Sequence, residues 1–317
     1  MCAAIIVMMG HLLHIKPYDS RKIFGDFIDN FFSLGSFSVL VFFGLSGIAL
    51  NFQIQKYGSG FHWFIARYIR LMPVYWICLF PPITACLLMN VQIDYPTLGY
   101  LLSFFGFQAI FHDLLLPPVN GPLWSISVEI FLCASLVLLA RFKRNMQMLI
   151  FSMSFLFAII FFKNAILFAL PFFIFGFLLP KSKIKLDSVV IKYLILFFVL
   201  INLLFALQIQ NYAYLMNNFL YNFMLVGLIL LLTFYYKSVK NGVISRFSQR
   251  SYALYAVHSP IFLFIDKILY KNDLSLSLEQ LSVSLLLLAI ATEFVYKFVD
   301  LPSIKNSRKY LRDRIKD

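Results

Sequence analysis

The sequence predicts an all-α polytopic membrane protein of about ten transmembrane helices. Two observations carry this. Of its 317 residues, 61% are hydrophobic and only 13% are charged, where a soluble domain carries about a quarter. The apolar residues also fall in blocks of span length, separated by short polar or basic stretches. At about 20 residues per crossing, ten spans use roughly 200 residues and leave enough for connections. The 27 Lys and Arg outnumber the 14 Asp and Glu, giving a net charge of +13. In a soluble chain that excess would suggest a nucleic-acid partner. Here the charges lie between apolar runs, so the partner they imply is the lipid bilayer and not nucleic acid.

The spans are expected at about 1–15, 36–55, 71–90, 121–140, 146–162, 164–180, 190–208, 213–236, 250–270 and 279–299, with a weaker run at 98–112. Cytoplasmic loops are enriched in Lys and Arg. With both termini cytoplasmic, the inner segments 56–70, 141–145, 181–192, 237–250 and 297–317 hold 21 of the 27 basic residues. A full crossing at 98–112 would spoil that asymmetry. That run is therefore expected to be re-entrant or interfacial, which requires its backbone to be buried in protein. The basic tail, 300–317, reads as a helix at the inner surface. No repeat or soluble domain interrupts 1–317, and Met1 leads into apolar sequence without a basic signal-peptide region. Cys2, Cys78, Cys86 and Cys133 lie in or beside apolar segments without a C-x-x-C pair, as small buried hydrophobes do.

Ionisable residues inside spans are costly and therefore mark function. His11, in AAIIVMMGHLLH, sits near the outer end of the first span, with His14 three residues on along the same face. An imidazole there serves either as a general base for a hydroxyl nucleophile or as a neutral link to another helix. Arg67 and Arg70 share a helical face at the inner boundary, either recognising phosphate or anchoring the span. Glu129, in NGPLWSISVEIF, lies about 12 Å along its span and requires a histidine or arginine partner. Trp124 and Ser125 precede it, with Ser125 on the same face. Tyr255 and His258, in SYALYAVHSP, are three apart; Glu293 also reads as buried, with Lys297 one turn along as a partner. Gly44, Ser46 and Gly47 invite close helix packing. The sequence contains no G-x-S-x-G elbow, H-E-x-x-H, P-loop or metal-ligand cluster, so no metal cofactor is expected.

Taken in order, these segments resemble acyltransferase family 3, integral-membrane enzymes of about ten spans. The matching pieces are A-A-x-x-V-x-x-x-H ending at His11, GSFSVLVFFGLSG at 35–47, R-x-x-R with P-x-Y-W at 67–76, LWSISVE at 123–129 and SYALYAVHSP at 251–260. The resemblance covers nearly the whole chain. It implies O-acylation, usually O-acetylation, of a sugar or glycan hydroxyl on a cell-surface polysaccharide such as O-antigen of lipopolysaccharide, capsule or exopolysaccharide. It also implies an acceptor that is lipid-linked or finished polymer, and residence in a bacterial-type inner membrane. The implied donor is acyl-CoA, usually acetyl-CoA, on the cytoplasmic side.

In this resemblance His11 matches the family's essential histidine, and Arg67 with Arg70 its paired arginines. His11 would deprotonate the hydroxyl or carry the acyl group itself, while Glu129 would orient the imidazole. His14, Trp124, Ser125, Tyr255 and His258 are expected along the substrate path. One departure is Leu40, where many members carry an acid. A transporter or flippase of a glycan or acyl donor is the rival reading, although no paired, interrupted spans support it.

Overall fold

The computed structural model describes residues 2–15, 35–58, 60–88, 96–111, 120–161, 164–179, 219–235, 242–265 and 278–314. Among these there is no strand. The helices are α1 (Cys2–Ile15), α2 (Gly35–Tyr57), α3 (His62–Leu88), α4 (Thr97–Phe105), α5 (Trp124–Leu139), α6 (Arg144–Ile160), α7 (Ala165–Leu178), α8 (Phe219–Tyr235), α9 (Gly242–Gln249), α10 (Ser251–Phe264), α11 (Leu278–Val295) and α12 (Leu301–Asp313). A π-helical turn, Tyr296–Asp300, joins α11 to α12. Among the described residues, four stretches are long and apolar enough to cross a bilayer: Phe37–Tyr57, His62–Leu88, Gly121–Leu139 and Glu279–Asp313. Exposed Leu88, Leu138, Leu286 and Phe298 suit a lipid surround. The span expected at 190–208 lies outside the described residues.

Two boundaries differ from the sequence expectation. The span expected from residue 71 belongs to an apolar helix that starts at His62 and carries Arg67 and Arg70, the two arginines expected on one helical face. Hydropathy sets the boundary too late because the two arginines lower the local average without breaking the helix. The tail continues the last span through the π turn, and α12 packs against α3.

The chain forms two compact units. One comprises Ser36–Lys56 and Phe142–Lys240. Within it, the small residues of α2 meet α7 backbone to backbone: a Cβ on Gly47 would strike the Phe173 carbonyl, and one on Gly176 the Gly44 carbonyl. Small residues permit this approach in lipid, where dispersion and polar contacts drive association. Asn51 adds a hydrogen bond to the Phe177 carbonyl at 2.6 Å. Phe223 of α8 inserts between α6 and α7, its ring 5.0 Å from that of Phe155 and 5.4 Å from that of Phe172.

The other unit comprises Met1–Gly35, Tyr57–Arg141 and Asn241–Asp317. Its apolar core gathers Leu71, Tyr75 and Leu79 of α3, Ile126 and Ile130 of α5, and Ala253 and Val257 of α10. The run at 98–112 folds as α4, a left-handed Gly106 (φ 74°) and a 3₁₀ turn, Gln108–Phe111. Nine residues of helix span roughly 14 Å, less than half a hydrocarbon core. Its terminal carbonyls are met by neighbouring side chains. Trp76 Nε1 donates to Phe104 O at 2.7 Å, Tyr68 Oη to Phe105 O at 3.2 Å and Ser127 Oγ to Gly106 O at 2.7 Å. These carbonyls of a non-spanning segment thus find hydrogen-bond partners in protein side chains.

Proline shapes the same unit. Pro82 in α3 and Pro260 in α10 have no N–H to give, which frees the carbonyls of Cys78 and Ala256 four residues earlier. Asn120, wholly buried ahead of α5, donates from Nδ2 to both: to Cys78 O at 3.0 Å and to Ala256 O at 2.8 Å. One amide thus repairs two interrupted helices and ties them together. Asn120→Asp, which can only accept at that position when ionised, is expected to cost about 2–5 kcal/mol. Thermal unfolding of the purified protein in detergent checks this.

Candidate active site

Two histidines meet in this unit. His11 of α1 and His258 of α10 stand edge to face, with ring centroids 5.0 Å apart. The helices pack along each other, which brings together motifs almost 250 residues apart in sequence. Each ring uses Nδ1 on a backbone carbonyl of its own helix: His11 on Val7 O at 2.8 Å, His258 on Tyr255 O at 2.6 Å. A carbonyl only accepts, so Nδ1 carries the hydrogen, and in the neutral ring Nε2 keeps the lone pair. The orienting role expected of Glu129 is filled here by the Val7 carbonyl. His11 is partly exposed and His258 is fully buried.

Beside the histidines, Ser125 Oγ lies 2.7 Å from Tyr255 Oη, and both hydroxyls donate to Pro122 O, at 3.1 and 2.9 Å. The proline turn Gly121–Leu123 presents that carbonyl to α10. Ser125, Tyr255 and His258, all expected along the substrate path, thus stand side by side. Trp124 is half-buried at the start of α5. His14 falls within α1, but its side chain lies outside the described residues.

The charged pair lies further along the helices. Arg67 donates from Nε to Glu129 Oε1 at 3.1 Å, and from a terminal nitrogen to the same oxygen. Arg67 is 8% exposed and Glu129 fully buried. Glu129 thus finds the basic partner its depth requires, and that partner is Arg67. The pairing also corrects the separate depths expected for the two residues. Asn120 meets Cys78 and Glu129 meets Arg67, so α5 runs antiparallel to α3 and places carboxylate and guanidinium at one level. Arg70, one turn on, is half-buried, with its Nε buried and without a hydrogen-bond partner.

α10 connects the two groups. Tyr252 Oη donates to Leu71 O at 2.8 Å, next to Arg70. Six residues on comes His258, a rise of roughly 9 Å. The histidine pair and a cationic end therefore stand about two turns apart on one scaffold.

Glu293 departs from expectation. It is not buried: at 36% exposure it pairs with Lys297 (3.1 Å) as expected, and also with Arg250 (2.5 Å). Arg250 in turn covers the ring of Tyr296 at 4.6 Å. The triad ties α10 to α11 at their ends, apart from the histidines. Asn120 and Asp300 escaped the sequence reading. The Asn-Gly-Pro turn reads as an ordinary loop, and Asp300 reads as the polar edge of a span. A proline four residues beyond a carbonyl in each of two helices was the available sign for Asn120. Cys78 and Cys133 are buried thiols, and Cys86 is half-buried. Among the described residues, no three His, Cys, Asp or Glu side chains gather as a metal site.

A family model described as an acyltransferase domain matches residues 1–295. The chain belongs to acyltransferase family 3. Comparisons with curated proteins and with solved structures found no match. The acyltransferase is a multi-pass membrane protein, and the expectation drawn from its five ordered motifs holds at the level of family and reaction class. Its histidine pair supplies lone-pair nitrogens suited to moving a proton, and its arginine level supplies positive charge within a largely apolar bundle.

Proposed function

We propose that this acyltransferase is an O-acetyltransferase that moves an acetyl group from cytoplasmic acetyl-CoA to a sugar hydroxyl. The acceptor is a cell-surface polysaccharide such as O-antigen, capsule or exopolysaccharide, met at a bacterial-type inner membrane by a ten-span protein with both termini inside. The observation that carries the reading is the two-turn stagger between Arg70 and the His11–His258 pair along α10. A thioester donor has this polarity, with anionic phosphates at one end and an uncharged arm leading to the reactive carbon.

In this reading Arg70, the more exposed of the two arginines, binds the donor's phosphates. Arg67, neutralised by Glu129, stands at the same level. His11 Nε2 takes the proton from the sugar hydroxyl as its oxygen attacks the thioester carbonyl. The carbon–sulfur bond then breaks, and the coenzyme leaves as thiol with the proton returned from the imidazole. Trp124, Ser125, Tyr255 and His258 line the approach of the acceptor.

The test is transfer of labelled acetyl from acetyl-CoA to glycan by the purified protein. Arg70→Ala is expected to raise the donor's apparent KM by roughly ten- to a hundredfold, as for loss of a charge-assisted hydrogen bond, with a smaller change in kcat. Unchanged donor dependence would make Arg70 a membrane anchor.

A further inference from the structure

Asp300 is fully buried, and neither of its carboxylate oxygens has a hydrogen-bond partner. A carboxylate in that position is costly unless a nearby cation offsets it. Arg70 is that cation, within electrostatic reach across the packed faces of α3 and the π turn, and its Nε is likewise buried without a partner. Arg67, Glu129 and Tyr252 are the other ionisable groups around Arg70. Arg67 and Glu129 neutralise one another directly, and Tyr252 donates its hydroxyl hydrogen to Leu71 O. That leaves Asp300 as the counter-charge for Arg70.

The backbone at Asp300 is also unusual. Tyr296–Asp300 is wound as a π helix, and Pro302 follows at the start of α12 without an N–H for the Phe298 carbonyl. Such turns insert a residue into the helical repeat, which turns a side chain that an α-helix would aim elsewhere, and they recur at functional sites.

We propose that Asp300 is a positioning residue that holds the Arg70 guanidinium at the donor end of the site. The donor part of this inference rests on the reading of Arg70 given above. The arginine pair then divides its work: Arg67 is fixed by a direct ion pair, whereas Arg70 is balanced by a carboxylate that leaves its hydrogen-bonding nitrogens uncommitted to it.

Two measurements on the full-length protein in detergent test this. In the first, modification of Arg70 by phenylglyoxal is followed by peptide mass spectrometry without ligand. Asp300→Asn is expected to change the rate at least threefold, and Asp300→Glu to keep it near that of the wild type. An unchanged rate in a folded Asp300→Asn protein would overturn the proposal.

In the second, coenzyme A binding is compared in Asp300→Asn, Arg70→Ala and the double variant. About tenfold weaker binding is expected for Asp300→Asn, with no further loss when it is added to Arg70→Ala. Full additivity would show that Asp300 acts apart from Arg70 and would overturn the proposal. If the modification rate shifts but the wild-type protein binds no coenzyme A, the donor reading falls and the coupling of Asp300 to Arg70 stands.

Discussion

His11→Ala is expected to lower acyl transfer by roughly a hundred- to ten-thousandfold, the range set by removing a general base, while the protein remains inserted and abundant. Its Nδ1–H bond to Val7 O is local to α1, so losing that bond costs α1 no link to another helix. The neighbouring His258 is fully buried, unlike His11, which keeps it from taking over the role. The check is labelled-acetyl transfer at matched protein amounts, read against the melting midpoint. An active His11→Ala enzyme would remove the base assignment. A variant that fails to insert would make His11 a structural residue.

The second large effect is on stability. Arg67→Ala leaves a buried carboxylate, and Glu129→Ala a buried guanidinium; either is expected to cost about 3–5 kcal/mol. The apolar double replacement Arg67→Met with Glu129→Leu should recover most of that loss, because it removes both desolvated charges together. Melting midpoints in detergent separate the cases. Recovery of stability without recovery of transfer would place the worth of the pair in function. A double variant as unstable as either single one would mean that other contacts of these two side chains hold the fold.

Much of this arrangement was legible in the sequence. Apolar blocks marked α1 to α8, α10 and α11, and four of the five motifs marked the residues that α1, α3, α5 and α10 bring together. The need of Glu129 for a basic partner followed from its depth. Which partner it takes did not, because the pairing depends on the register of two antiparallel helices. That register is set in part by Asn120, through carbonyls that two prolines expose.

The span in α3 was set to start too late because hydropathy averages over charge, whereas a helix tolerates arginine well. Glu293 was misjudged for a related reason: its place in an apolar run suggested burial, but the helix face it occupies meets Arg250 and Lys297. Asp300 was missed because a polar residue at the edge of an apolar run looks solvated until the π turn and the packing of α12 are known. The expectation that 98–112 does not cross is consistent with its short helix, whose carbonyls are capped by Tyr68, Trp76 and Ser127.

The most direct measurement of the central claim is NMR of cell-surface glycan from cells lacking this protein, complemented with the wild type or with His11→Ala at equal abundance. Wild type is expected to yield O-acetyl signals on a defined sugar position, lost on mild base treatment, and His11→Ala to leave that position bare. Glycans identical in all three cells, or acetylation that survives in His11→Ala, would contradict the account.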